Sequence, residues 1–159
     1  SCLPLAAEGN ERDGESERST PTRKRDPMTT PSRVAEVAAA DPAAALDHFS
    51  RLLSLETDCW DVHEAMANGE TDFVLLDVRG KGGFDAGHVP GARHAPHADL
   101  TEAGLAEYGG ETLFVVYCAG PHCNGADRAA VRLSRLGRPV KKMIGGIEGW
   151  KDEGFDLAT

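Results

Sequence analysis

LFVVYCAGPHCNG, residues 113–125, is the stretch that decides the fold. Leu113, Phe114, Val115, Val116 and Tyr117 form an unbroken apolar run, the pattern of a strand covered on both faces. Cys118 stands directly at its end. The loop that follows, Ala119, Gly120, Pro121, His122, Cys123, Asn124 and Gly125, is rich in turn-forming residues. From Gly125 onward Ala129, Ala130, Leu133 and Leu136 recur on one helical face, and Gly137 is the expected stop. Strand, tight loop and helix in this order begin a βαβ unit.

The same alternation continues in both directions. Residues 73–78, FVLLDV, form a second apolar run, and residues 140–143 read as a third strand. A helix is expected over 101–108 and a closing helix over 147–153. Upstream, a short strand near Cys59 and Trp60 should lead to Asp61 as a helix N-cap, with a helix over 62–68 ended by Gly69. Both tryptophans, Trp60 and Trp150, read as core or cap residues. The pattern predicts an α/β domain over residues 57–159, a three-layer, mostly parallel β-sheet flanked by helices. Residues 31–56 read as an N-terminal helical extension. There Asp41 is the N-cap, Pro42 opens the first turn, and Leu46, Phe49 and Leu53 make an apolar face expected to dock on the domain. Residues 1–30 are polar, charged and without periodicity, the composition of a disordered tail; they include the basic run Arg23, Lys24, Arg25 and a candidate start at Met28.

Composition narrows the function. Seventeen basic against twenty-six acidic residues in 159 give a net charge of −9, which argues against nucleic acid or an anionic membrane surface as partner. No stretch reaches the roughly 18 apolar residues of a membrane span. The four cysteines, Cys2, Cys59, Cys118 and Cys123, lack the paired spacing of zinc hooks and the density of a disulfide scaffold, so a reducing, cytoplasmic location is expected. No cofactor or metal is expected.

Chemistry concentrates on Cys118. In open parallel sheets ligands bind beyond the C-terminal strand ends, which is where this thiol falls. Two glycines and an asparagine allow the loop to curl by tolerating positive φ, turning backbone N–H groups inward at a helix start. Such N–H groups should pull the Cys118 pKa below the ordinary thiol range and make a nucleophile. Cys123, five positions on, has three open readings: packing beneath the loop, resolving an oxidised Cys118 as a disulfide, or joining His122 in holding a soft metal. Asp77 and Arg79 read as an ion pair tying strand to loop, and His88 as a ring bonded to backbone in the turn before Pro90. His94 and His97 lack a third metal ligand, and Asn124 is expected to cap its own backbone.

Three segments together resemble the rhodanese family. Asp77-Val78-Arg79 followed by Phe84-Asp85-Ala86-Gly87-His88-Val89-Pro90-Gly91-Ala92 is similar to its first signature. Val116-Tyr117-Cys118 is similar to the strand that delivers the family's cysteine, and Gly145-Gly146-Ile147-Glu148-Gly149-Trp150 to its C-terminal signature. The resemblance implies a sulfurtransferase in which Cys118 cycles through a persulfide. It also implies Ala119 to Gly125 as the active-site loop, Asp77, Arg79 and His88 as supporting residues, and a small sulfur donor or protein persulfide and a thiol acceptor as partners. The loop departs from the family pattern: it is longer and has no Arg or Lys between Ala119 and Asp127, leaving His122 as its only cation. That disfavours thiosulfate as donor. The phosphatases of related fold need an arginine six residues after the cysteine, where this chain has Asn124. Two further readings stay open: a thiol–disulfide redox protein or sensor using Cys118 and Cys123, and a non-catalytic binding module.

Overall fold

The computed structural model describes residues 32–159 except residue 71; the expected N-terminal tail, with Cys2, the basic run and Met28, lies outside them. The chain divides into two units, residues 1–39 and 40–159. The described part of the first holds one exposed helical turn, α1 (Arg33–Glu36).

The second unit is built on five parallel strands, β1 (Glu56–Thr57), β2 (Phe73–Asp77), β3 (Arg93–His94), β4 (Leu113–Tyr117) and β5 (Val140–Met143), in the order β1-β5-β4-β2-β3. Around them lie α2 (Pro42–Leu55), α3 (Cys59–Ala67), α4 (Lys81–Asp85), α5 (Gly125–Arg135) and α6 (Gly146–Asp152). The alternation of side chains along β4 divides the core into two layers. Phe114, Val116 and Cys118 pack with Leu76, Leu100, Ala129 and Leu133 on the α5 side. Val115 and Tyr117 pack with Val62, Met143, Ile147 and Trp150 on the side of α3 and α6. Both faces are therefore covered, which is why β4 is an unbroken apolar run and β2 is apolar up to Asp77. The expected α/β class is the observed one.

Several local expectations are corrected. The strand before α3 is Glu56–Thr57, and Cys59 and Trp60 lie in the helix's first turn. Asp58, not Asp61, is the N-cap; its carboxylate accepts from the Asp61 N–H at 2.8 Å. The earlier start follows from Asp58 having a side-chain acceptor in reach of the helix's orphan donors. No helix forms over 101–108. The Gly104 N–H bonds the Thr101 hydroxyl at 3.0 Å, and successive turns pin Leu100 and Leu105 into the core. Trp150 is buried, its indole N–H donating to the Asp156 carbonyl at 2.9 Å, whereas Trp60 is 57% exposed on the outer side of α3. Asp41 caps α2 as expected, but Leu46, Phe49 and Leu53 do not dock; they are 71%, 61% and 74% exposed. Strand β3 and helix α4, with their polar and glycine-rich sequences, have no hydrophobic period by which to be read.

Candidate functional site

Parallel strands put all their C-terminal ends on one edge, and Cys118 stands there at the end of β4. The loop closes through a tight turn. The Cys123 N–H donates to the Gly120 carbonyl at 3.0 Å, with Pro121 and His122 at its corner. Proline suits the second position of such a turn because its ring presets φ. The turn carries Cys123 back toward Cys118. A β-carbon placed on Gly125 would lie 2.6 Å from the Cys118 sulfur and 3.4 Å from the Cys123 sulfur, so both thiols gather at one point at the start of α5. The loop glycines serve close approach, not positive φ: the positive-φ glycines are elsewhere, and Asn124 sits at φ −89° with no side-chain cap bond. The expected Asn124 cap is thus absent, its side chain being exposed.

The two thiols differ in environment. Burial pushes the Cys118 thiol up; the neighbouring Cys123 adds to this, while the Ala119 and Gly125 N–H groups pull it back. Cys118 is 8% exposed. Cys123 moves the other way: the Cys118 thiol, acting as a hydrogen-bond donor, and the Gly125 N–H at 3.4 Å hold its pKa below the ordinary thiol range. The expected depression of Cys118 is therefore corrected. The inward amides are present, but desolvation outweighs them, and the first negative charge of the pair settles on the more exposed sulfur. The third described thiol, Cys59, belongs to the core layer of α3 and α6, opposite that of Cys118. Burial pushes it up to about 11, and it donates to the Ile144 and Gly146 carbonyls at 3.4 and 3.7 Å.

Cys118, Gly120, Pro121 and Cys123 line a cavity of about 320 Å³ whose opposite wall is Met143, Ile144 and Gly145. Ala119, His122 and Asn124 line a shallower depression outside it. Two residues missed by sequence reasoning complete the inner cavity. Lys142 reaches its rim, but its ammonium is held by Asp127 at 2.9 Å and Glu56 at 3.2 Å. Gly146, at φ +60°, lets α6 start against the loop: a β-carbon there would lie 2.5 Å from the Cys118 carbonyl. That approach allows the Ile147 and Glu148 N–H groups to cap the Cys118 and Ala119 carbonyls, both at 3.0 Å. The parallel register was the available signal, since it brings the end of β5 beside the end of β4.

Asp77, Arg79 and His88 lie apart from the thiols, on the other side of the sheet edge. Arg79 bonds the fully buried Asp77 carboxylate through Nε at 3.0 Å and Nη2 at 2.6 Å, and donates to the Gly87 carbonyl at 2.7 Å. Tyr117 donates to Asp77 at 2.7 Å and accepts from the Val89 N–H at 3.1 Å. His88 Nδ1 lies 3.1 Å from the Phe84 carbonyl, and His94 Nε2 lies 2.9 Å from that of Arg79. These residues tie the 79–94 segment to the sheet. Among the described residues no three His, Cys, Asp or Glu side chains are grouped to hold a metal, and no helix is long and apolar enough to cross a membrane.

Known proteins carry the same pattern. The rhodanese-like domain family model matches residues 60–153. The HTH-type transcriptional regulator Rv0324 of Mycobacterium tuberculosis is 40% identical over 87 residues, which cover 54% of this chain but 38% of that protein. The chain thus spans well under half the length of that relative. The structure of the BH2092 protein from Bacillus halodurans is 34% identical with a TM-score of 0.71, covering 74% of this chain and 86% of that one. The rhodanese-like domain of the Anabaena Alr3790 protein is 27% identical with a TM-score of 0.58, covering 65% and 77%. With the family model spanning strands β2 to β5, the Cys118 loop and the closing helix, the chain belongs to the rhodanese-like domain family.

Proposed function

We propose that this protein is a sulfurtransferase-type enzyme that carries sulfane sulfur as a persulfide on Cys118. The observation that carries the reading is Cys118 in the cavity lining, set against the Ala119 and Gly125 amides, with Cys123 beside it. In the forward step Cys118 attacks the outer sulfur of a donor. The donor's sulfur–sulfur bond breaks, its remainder leaves with the electron pair, and the Cys118 proton is released to solvent. The anionic persulfide then lies where amides and the helix start favour negative charge. A thiol acceptor takes the sulfur in the reverse sense.

The donor is best sought among small or protein persulfides and other singly charged species. A dianion such as thiosulfate finds no free lysine or arginine on the loop, and the nearest ammonium, Lys142, is already held by two carboxylates. The described cysteines are all free thiols, which suits a reducing, cytoplasmic compartment.

The test is intact-mass spectrometry after incubation with benzenethiosulfonate, a monoanionic sulfane donor that departs as benzenesulfinate. The expected result is a transient gain of about 32 Da mapping to Cys118, absent from Cys118→Ala. A Cys118→Ala protein that still turned over donor to a thiol acceptor would refute the reading.

A further inference from the structure

A second thiol in the loop is more than the carrier chemistry needs, and its placement is specific. The Gly120–Cys123 turn folds it back over Cys118, and glycine at 125 leaves no β-carbon to part the two sulfurs. Both line the same cavity, with Cys123 on the outer side. We propose that Cys123 is a catalytic residue that dismantles the persulfide on Cys118, so that the site reduces sulfane sulfur to hydrogen sulfide and ends as a Cys118–Cys123 disulfide. This rests on the persulfide reading above.

The step balances as follows. The Cys123 proton moves to the outer sulfur of the persulfide. The Cys123 thiolate attacks the Cys118 sulfur, a Cys118–Cys123 bond forms, and the bond to the outer sulfur breaks. That sulfur leaves as hydrosulfide with the electron pair, reduced, while the two cysteines are oxidised. An external dithiol of the cytoplasmic reductant class then restores the pair by exchange. Several features favour the forward direction. The attacking sulfur keeps the Gly125 N–H, at 3.4 Å, which favours its thiolate after Cys118 has lost its own proton. Hydrosulfide, the weaker base, is a better leaving group than a cysteine thiolate. Intramolecular attack within one short loop also avoids the entropy of bringing two molecules together.

The experiment treats the full chain, reduced and under exclusion of air, with one equivalent of benzenethiosulfonate and no added thiol. Because that donor releases sulfinate, any sulfide comes from the protein. The expected wild-type product is a species lighter than the reduced chain by about 2 Da, with the disulfide mapping to Cys118 and Cys123 and about one sulfide released per chain. Cys123→Ser should instead hold the gain of about 32 Da and release no sulfide until a thiol is added. If wild type and Cys123→Ser both keep a lasting persulfide, the resolving role is overturned while the carrier reading stands. If neither protein takes up sulfur and no disulfide forms, both fall together.

Discussion

Asp77 and Tyr117 are register partners on neighbouring strands and are also joined through their side chains, the tyrosine hydroxyl meeting the carboxylate at 2.7 Å one residue before Cys118. The strand that delivers the thiol is thus anchored to β2 from the opposite face of the sheet. Removing the carboxylate in Asp77→Ala leaves Arg79 without its partner in a site where Asp77 is 0% exposed. The expected loss is about 3–5 kcal/mol in urea denaturation, the range for breaking a buried pair by deleting one member. Tyr117→Phe should cost about 1–3 kcal/mol, since it strips Asp77 of a donor and leaves the Val89 N–H unpaired. An unchanged midpoint for both would show that the network is not structural.

The thiol pair makes a pH prediction. Cys123 is held below the ordinary thiol range first by Cys118 as donor and then by the Gly125 N–H. More of it is therefore ionised at neutral pH than of a free thiol. Iodoacetamide should label Cys123 before Cys118, and its rate should rise through a midpoint below that of a free cysteine. In Cys118→Ala the donor is gone, so the midpoint should move to higher pH. A profile that does not move, or moves down, would mean that Cys118 does not stabilise the Cys123 thiolate.

Two glycines of similar φ separate conformational strain from close approach. Gly69 has φ +74° with open space around a β-carbon, whereas Gly146 has φ +60° with the Cys118 carbonyl in the way. Gly69→Ala should cost about 1–2 kcal/mol, the strain of a left-handed alanine. Gly146→Ala should cost clearly more and also slow persulfide formation, because the start of α6 must withdraw from the loop. Equal costs by thermal or urea denaturation would refute the steric role.

Asp127 withholds Lys142 from the cavity. Asp127→Asn leaves the ammonium with Glu56 alone. Freed toward an anionic donor by about 1 kcal/mol, it should raise the rate of persulfide formation from thiosulfate about fivefold at low salt. The gain should shrink as ionic strength rises. A rate unchanged at every salt concentration would place Lys142 out of reach of the donor.

What could be read from sequence follows periodicity and local chemistry. The apolar runs of β2 and β4, the helical face of α5 with its glycine stop, the Asp41 cap and the position of Cys118 at a strand end all depend on residues near one another in the chain. Their physics is local: the two-residue period of a strand, the 3.6-residue period of a helix, and the capping of orphan donors. The Asp77–Arg79 pair was readable for the same reason. Tertiary structure alone decided the rest. Whether Cys118 or Cys123 carries the charge depends on how deeply each sulfur is buried, which no spacing encodes. Lys142 and Gly146 enter the site only because parallel pairing sets the ends of β4 and β5 side by side. The apolar face of α2 looked like every docking face, and only the packed chain shows it exposed among the described residues. Pattern reports which surfaces are apolar; the free energy of burial and charge is settled by what lies against them.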